Sequence, residues 1–446
     1  MLSLYQRLLS SEYFERLRRR GPLSENNRIY NAAVVMWLMI HQRLHGGSMA
    51  RSVLELILGL PSTFWPRPCR RLATEAEGQK PRLSHNTGAY NEARQDLALE
   101  VVEESFDWAT GELSSEMVGE LPTAGRGLFL VDGTSLRGPH TEEMCRAYPP
   151  AANQHGKTHW PVLRMVVAHD LNSGLAMRPQ WGPMYGGQAS SEQGLFEELL
   201  QRLPKASTVL ADTNFGVFSV AYAADRRDYP TLLRLQEVRA KRLMGGKPLR
   251  DGIDQRVQWR PSRDDRKQHP QLPADACVVG RVIVRQVQPS NGSQPFPLAL
   301  FTTREEPAEE LIELYGKRWS IEVDIRTLKS TLQLDQLTCA SPEMVGKEIV
   351  LGMLAYNLVR AVTFVAAQAA GVPPRAFSFT QVRNVVDAFA PRISAAKTVE
   401  EARRLYEDLL YYASRARLPK RRRSRDSYPR EVWGRGESFP RRRTKA

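Results

Sequence analysis

The sequence predicts an α/β core flanked by helical regions, and three observations carry that prediction. Between residues 121 and 236, apolar β-branched runs that stop at turn residues alternate with segments of helical period. The chain before and most of the chain after are patterned for helices. A composition of 42% hydrophobic and 25% charged residues over 446 positions is globular, with room for two or three domains.

Residues 1–120 carry helical patterns such as NAAVVMWLMIHQRL (31–44) and ARQDLALEVVEESFDWA (93–109), joined by a Pro- and Gly-bearing middle, and form a helical N-terminal region. At 121 the period changes. GLFLVDGTSLRG (127–138) and WPVLRMVVAHDLNSG (160–174) are expected strands, and AMRPQWG (176–182) a third, paired to the second through Asn172-Ser173-Gly174. SSEQGLFEELLQRL (190–203) opens on Ser and continues at helical spacing. STVLADTNFG (207–216) is a fourth strand, VFSVAYAADRRD (217–228) a helix and TLLRLQ (231–236) a fifth strand. By fold-level analogy this order is that of a ribonuclease-H-like domain, in which the first and fourth strands lie parallel and adjacent.

From 237 to 305 the alternation lapses, and RVQWRPS (256–262), CVVGRVIVRQV (277–287) and FPLALFTTR (296–304) predict a mostly β insertion. Residues 306–340 return a helix to the core. A helical C-terminal region follows over 341–414, broken at Gly371 and Pro373-Pro374. Its apolar stretch from Ile349 to Ala370, interrupted by Asn357 and Arg360, reads as a buried helix and not a membrane span.

The formal charge is +14, and residues 415–446 hold thirteen Lys/Arg against three Asp/Glu. Such a tail suits a polyanion such as DNA, or is a solvated, disordered end. Cys69, Cys145, Cys277 and Cys339 lie far apart with no CxxC pair, so neither a structural zinc site nor a disulfide framework is expected. The N-terminus lacks a signal-peptide pattern, which predicts a reduced, cytoplasmic protein.

Two acids stand out because apolar strand residues lead into them. Asp132 in LFLVDGTSL and Asp212 in TVLADTNF would be costly inside a core unless paired or metal-bound. Each also has a plain alternative, a turn before Gly133 for Asp132 and an N-cap for Asp212. A third acid lies in LIELYGKRWSIEVDIRTLKSTLQL (311–334). At ~100° per residue, Tyr315, Arg318, Glu322 and Lys329 project from one narrow stripe beside an apolar one formed by Leu314, Ile321, Ile325, Leu328 and Leu332. Trp319-Ser320 could divide this helix, and the stripe could be a solvated face of i,i+4 ion pairs. His155 and His159 in NQHGKTHW lie in an expected loop after Pro149-Pro150. Asp170 reads as a turn residue, and as the substitute should one of the three acids fall out.

The string Tyr315-x2-Arg318-x3-Glu322-x6-Lys329 resembles the Tyr-Arg-Glu-Lys (YREK) signature of bacterial insertion-sequence transposases with a DDE triad. VDGT (131–134) and ADTNF (211–215) are similar to the segments carrying the family's first and second Asp, with Thr213 where relatives often have Arg. The resemblance implies that Asp132, Asp212 and Glu322 bind two Mg²⁺ ions, for which Mn²⁺ could stand in. It also implies that Tyr315, Arg318 and Lys329 hold phosphates of the transposon end. Trp259 falls in the insertion, where relatives carry an aromatic that receives a flipped base; packing within a strand is the alternative. Double-stranded DNA as substrate and target, a homodimer on paired ends, and a nucleoid-associated location without membrane contact follow from the same resemblance. A nuclease without strand transfer, or a transposase-derived DNA-binding protein without activity, are the competing readings.

Overall fold

The computed structural model describes residues 1–21, 23, 29–46, 48–59, 84–118, 127–153, 156–288 and 294–418. The basic tail beyond 418, Cys69 and His155 lie outside these residues.

Among the described residues six helices come first: α1 (Leu2–Leu8), α2 (Ser11–Arg20), α3 (Ala32–His45), α4 (Met49–Gly59), α5 (Gly88–Asp96) and α6 (Leu99–Val118). Side-chain oxygens of Ser10 and Asn31 accept backbone N–H groups to start α2 and α3, and Gly21 and Gly46 end them in the left-handed region. The core then runs β1 (Leu128–Arg137), α7 (Glu142–Ala147), β2 (Pro150–Asn153), β3 (Gly156–Asp170), β4 (Gln180–Pro183), α8 (Glu192–Leu200), β5 (Thr208–Ala211), α9 (Phe218–Asp225) and β6 (Thr231–Arg234). Next are α10 (Glu237–Leu243), β7 (Asp254–Trp259), α11 (Arg263–Gln268), β8 (Val278–Val287) and β9 (Phe296–Thr302). After them come α12 (Ala308–Gly316), a 3-10 turn (Lys317–Trp319), α13 (Ser320–Arg326) and a π turn (Thr327–Thr331). The chain closes with α14 (Pro342–Ala370), a 3-10 turn (Pro374–Ala376), α15 (Phe379–Ser394) and α16 (Val399–Arg415).

One nine-stranded mixed sheet orders β2-β3-β1-β5-β6-β9-β8-β7, with β4 added on β3. β1 is antiparallel to β3 and parallel to β5, and β5 is parallel to β6. The strand-rich stretch after 237 extends this sheet, because β9 pairs with β6 through Leu232 to Arg234. Apolar clusters cover both faces. Leu130, Leu210 and Leu232 meet the N-terminal helices, α13 and α14, whereas Val131, Val209 and Ala211 meet α8 and α9.

Two local expectations shift. The third strand begins at Gln180 and not Ala176, because Asn357 of α14 takes the Ala176 backbone with both its amide oxygen and nitrogen, each at 2.8 Å. The segment around His159 is a hairpin of β2 and β3 and not a loop, with Asn153 opposite Gly156. There the His159 ring stacks on His140 at 4.1 Å. Among the described residues one helix, α14, is long and apolar enough to cross a membrane, and 89% of its most apolar window is buried inside the protein.

Candidate active site

The register of the two central strands sets the floor of the site. Val131 of β1 lies opposite Ala211 of β5 in the last parallel pair, and the next residue on each strand is an acid, Asp132 and Asp212. Neighbouring strands run ~4.8 Å apart, so both carboxyls emerge side by side at the C-terminal edge of the parallel pair. Alternation points them to the face of Leu130 and Leu210, the face covered by α13. Asp132, within β1, accepts the Gly133 N–H at 2.8 Å, and Asp212, in the turn after β5, accepts the Asn214 N–H at 2.9 Å, so both carboxylates are oriented by backbone close to them in the chain. Burial, followed by the negative charge of Asp212, pushes the Asp132 carboxyl up to about 6.

Above this floor lies the segment carrying Glu322. The chain is not one helix there, because the 3-10 turn Lys317–Trp319 and the π turn Thr327–Thr331 bracket the seven residues of α13. The break expected at Trp319-Ser320 is present. Ile321 and Leu328 seat the segment in the core, and the polar side chains converge on the acids. Arg318 is 8% exposed and spans two of them, with Nη2 donating to Glu322 Oε1 at 2.9 Å and Nη1 lying 3.6 Å from Asp132 Oδ2. Burial opposes its charge, yet Tyr315, Glu322 and Asp132 around it raise its pKa above the ordinary value. Lys329 Nζ donates to Ser135 O at 3.0 Å and Thr134 Oγ1 at 3.3 Å, three and two residues beyond Asp132. Tyr315 is buried beside Arg318. Among the described residues its hydroxyl makes no hydrogen bond of good geometry, and burial pushes its pKa up to about 12 against the pull of the adjacent Arg318 charge.

Six of the seven residues singled out from the sequence therefore share one neighbourhood. Trp259 does not. It is 4% exposed at the end of β7, edge-on to Phe301 at 4.7 Å and Phe218 at 6.2 Å, so its ring faces are spent on core packing and offer no surface to a base. Asp170 is also excluded from the site. It pairs with Phe129 at the opposite end of β1, and its carboxylate caps the Asn172 and Ser173 N–H groups as a turn residue does.

One acid was not legible from the sequence. Glu192, in the first turn of α8, packs against Gly133 so closely that a Cβ there would lie 2.5 Å from its Oε1, and it adds to the negative charge felt by Asp132. Its SSEQ context signals only a helix start.

Among the described residues, no group of three or more His, Cys, Asp or Glu side chains is drawn together tightly enough to hold a metal ion. The Glu322 carboxylate is turned to Arg318. A guanidinium sits among these acids where they would otherwise face each other uncompensated. The donor chemistry nonetheless suits a hard divalent cation, since the side chains lining the floor are carboxylates and the charged form of one of them is disfavoured by burial and by the neighbouring Asp212.

The Transposase DDE domain family matches residues 123–358, more than half of the chain and the whole span from β1 to the first half of α14. The chain belongs to this family of DDE transposases. It is also similar to the transposase InsG for insertion sequence element IS4 of Escherichia coli (strain K12), at 27% identity over 380 residues covering 83% of this chain and 81% of the relative. As a DDE transposase it acts on DNA, and the matched span contains Asp132, Asp212 and the whole segment from Tyr315 to Lys329.

Proposed function

We propose that this transposase cleaves DNA at the inverted ends of its own insertion sequence and joins the 3′ ends to target DNA, by cut-and-paste, from one site built on a ribonuclease-H-like fold. The observation that carries the reading is the paired register of Asp132 and Asp212 on adjacent parallel strands, with Arg318 linking Asp132 to Glu322. The strand order β4-β3-β1-β5-β6, antiparallel then parallel about β1, supports the fold assignment.

In this reading Asp132, Asp212 and Glu322 hold two divalent ions, Mg²⁺ or Mn²⁺. Bound there, the ions would supply activation of the attacking hydroxyl and stabilisation of the leaving oxygen. The chain's own residues do the rest. Arg318, Lys329 and the Tyr315 hydroxyl beside Arg318 are the donors available to phosphate oxygens. Arg318 must release Glu322 before that carboxylate can join the other two, and an incoming phosphate is the natural competitor for its guanidinium. Residues 1–120 would contact the end sequence, 415–446 would add non-specific phosphate contacts, and two copies would act on paired ends.

Labelled inverted-end DNA incubated with the full chain, Mg²⁺ and a target plasmid tests the proposal. Nicked ends and joined products are expected, both lost in Asp132→Ala, Asp212→Ala and Glu322→Ala. Nicks without joining would favour a nuclease, and three silent alanine variants would favour an inactive DNA-binding protein.

A further inference from the structure

We infer that Asp324 is a positioning residue, whose buried ion network fixes the segment bearing Glu322 at a set height over Asp132. The inference rests on the reading of Glu322 as a metal-binding residue. Asp324 stands two residues after Glu322 in α13 and is 0% exposed. Its carboxylate accepts from Arg360 Nη2 at 2.7 Å, Arg375 Nη1 at 2.8 Å and the Tyr356 hydroxyl at 2.9 Å, with His169 Nδ1 at 3.8 Å. Burial alone would raise its pKa, but the Arg375 and Arg360 guanidiniums beside it hold it at about 2.

The partners come from three elements. Arg360 and Tyr356 belong to α14, His169 to β3, and Arg375 to the 3-10 turn after α14. Arg375 also donates to Asp170 O at 2.8 Å and to Leu171 O, at the end of β3. β3 is the antiparallel neighbour of β1, with Val167 opposite Asp132. A continuous path of backbone pairing and charged hydrogen bonds therefore runs from Asp132 through β3 and Arg375 to Asp324, and so to Glu322.

Stability alone does not account for such a network, because buried ion pairs are commonly no better than well-packed apolar side chains of similar size. They do provide direction, since a guanidinium fork accepts few geometries. Direction is what this segment needs. α13 is only seven residues long, with a 3-10 turn at one end and a π turn at the other, so regular helical hydrogen bonding covers only about two turns around Glu322.

The test uses the full chain bound to end DNA, with Mn²⁺ uptake read by electron paramagnetic resonance and cleavage read in single turnover. Arg375→Lys keeps the positive charge but cannot span a carboxylate and two carbonyls. It is expected to fold, to bind end DNA within about twofold of wild type, and to need about tenfold more Mn²⁺ for half-occupancy. Cleavage at limiting Mn²⁺ should slow by a similar factor and recover at high Mn²⁺. Asp324→Asn should show the larger loss, up to about 100-fold. Arg281→Gln is the matched control. Arg281 likewise holds one carboxylate, Asp254, and two carbonyls, Arg304 O and Glu306 O, but none of these partners belongs to the segment from Tyr315 to Lys329. That variant should lose melting temperature without losing Mn²⁺ affinity. The inference is overturned if Arg375→Lys takes up Mn²⁺ and cleaves as wild type does, or if Arg281→Gln loses affinity in step with its stability. A wild-type complex that takes up no Mn²⁺ overturns the metal reading itself, and this inference with it.

Discussion

The floor of the site and the segment above it are held by different forces. Asp132 and Asp212 ride on strands whose positions are set by backbone pairing on both sides of β1 and by apolar packing on both faces. Glu322 rides on a short helix between two irregular turns, with ion pairs above and below: Arg318 on the site side, and Arg360 and Arg375 on the buried side. Backbone pairing does not depend on side-chain charge, whereas ion pairs can be exchanged for a ligand's charges. The floor is therefore preset, and the third acid is the part that can respond to DNA.

The sharpest way to break this contrast is to attack the packing behind the floor. Trp259→Ala should destabilise the protein by about 3–5 kcal/mol, as large-to-small changes in a core do, while leaving the joining rate per folded molecule unchanged. Chemical denaturation paired with a joining assay separates the two effects. Normal stability with lost joining would return Trp259 to a DNA-facing role.

The next largest effect is a pH dependence. The Asp132 carboxyl titrates at about 6 in the folded protein against 3.8 for an ordinary Asp, so the folded state binds the proton more tightly than the unfolded chain. Stability then falls as pH rises between those values, and Asp132→Asn removes the cost. The metal-free variant should exceed wild type by up to about 3 kcal/mol at neutral pH, and the gain should vanish as pH drops through the ordinary Asp range. Urea melts at both ends of that window check it, and a pH-independent difference would show that the carboxyl is not strained.

Length changes then compare the two regions directly. Asp132→Glu, forced onto a fixed strand, should slow cleavage by about 100-fold, the usual cost of a misplacement near 1 Å. Glu322→Asp, at a side chain that already has to turn from Arg318 toward the other acids, should slow it by only about tenfold at saturating Mg²⁺. Equal losses in single turnover would remove the distinction. The smallest expected effect is that of Lys329→Ala, which removes one phosphate donor and should reduce the salt dependence of end-DNA binding by about one unit of slope.

The residues tell why some of this was legible beforehand. β1, β3, β5, β8 and β9 follow apolar β-branched runs closed by turn residues, and the two strand-borne acids stood out because such runs lead into them. The hairpin of β2 and β3 was hidden by Pro149-Pro150 and Gly156, which signal a loop although Pro150 begins a strand at the sheet edge, where a missing N–H is tolerated. The polar stripe from Tyr315 to Lys329 emerged from a straight-helix projection even though 3-10 and π turns interrupt it, because tighter and looser turns flank α13 on opposite sides.

Sequence by itself determined the alternation of strands and helices, the two acids into which apolar strand runs lead and the basic and aromatic company of Glu322, since these are properties of local period and residue type. Only the tertiary structure decided that Trp259 is core, that Glu192 joins the acids, that Arg318 occupies Glu322, and that Asp324 is clamped from 36 and 51 residues away. Those facts depend on which distant segments the sheet order brings together, and hydrogen bonds and charge pairs between such segments leave no periodic trace in the chain.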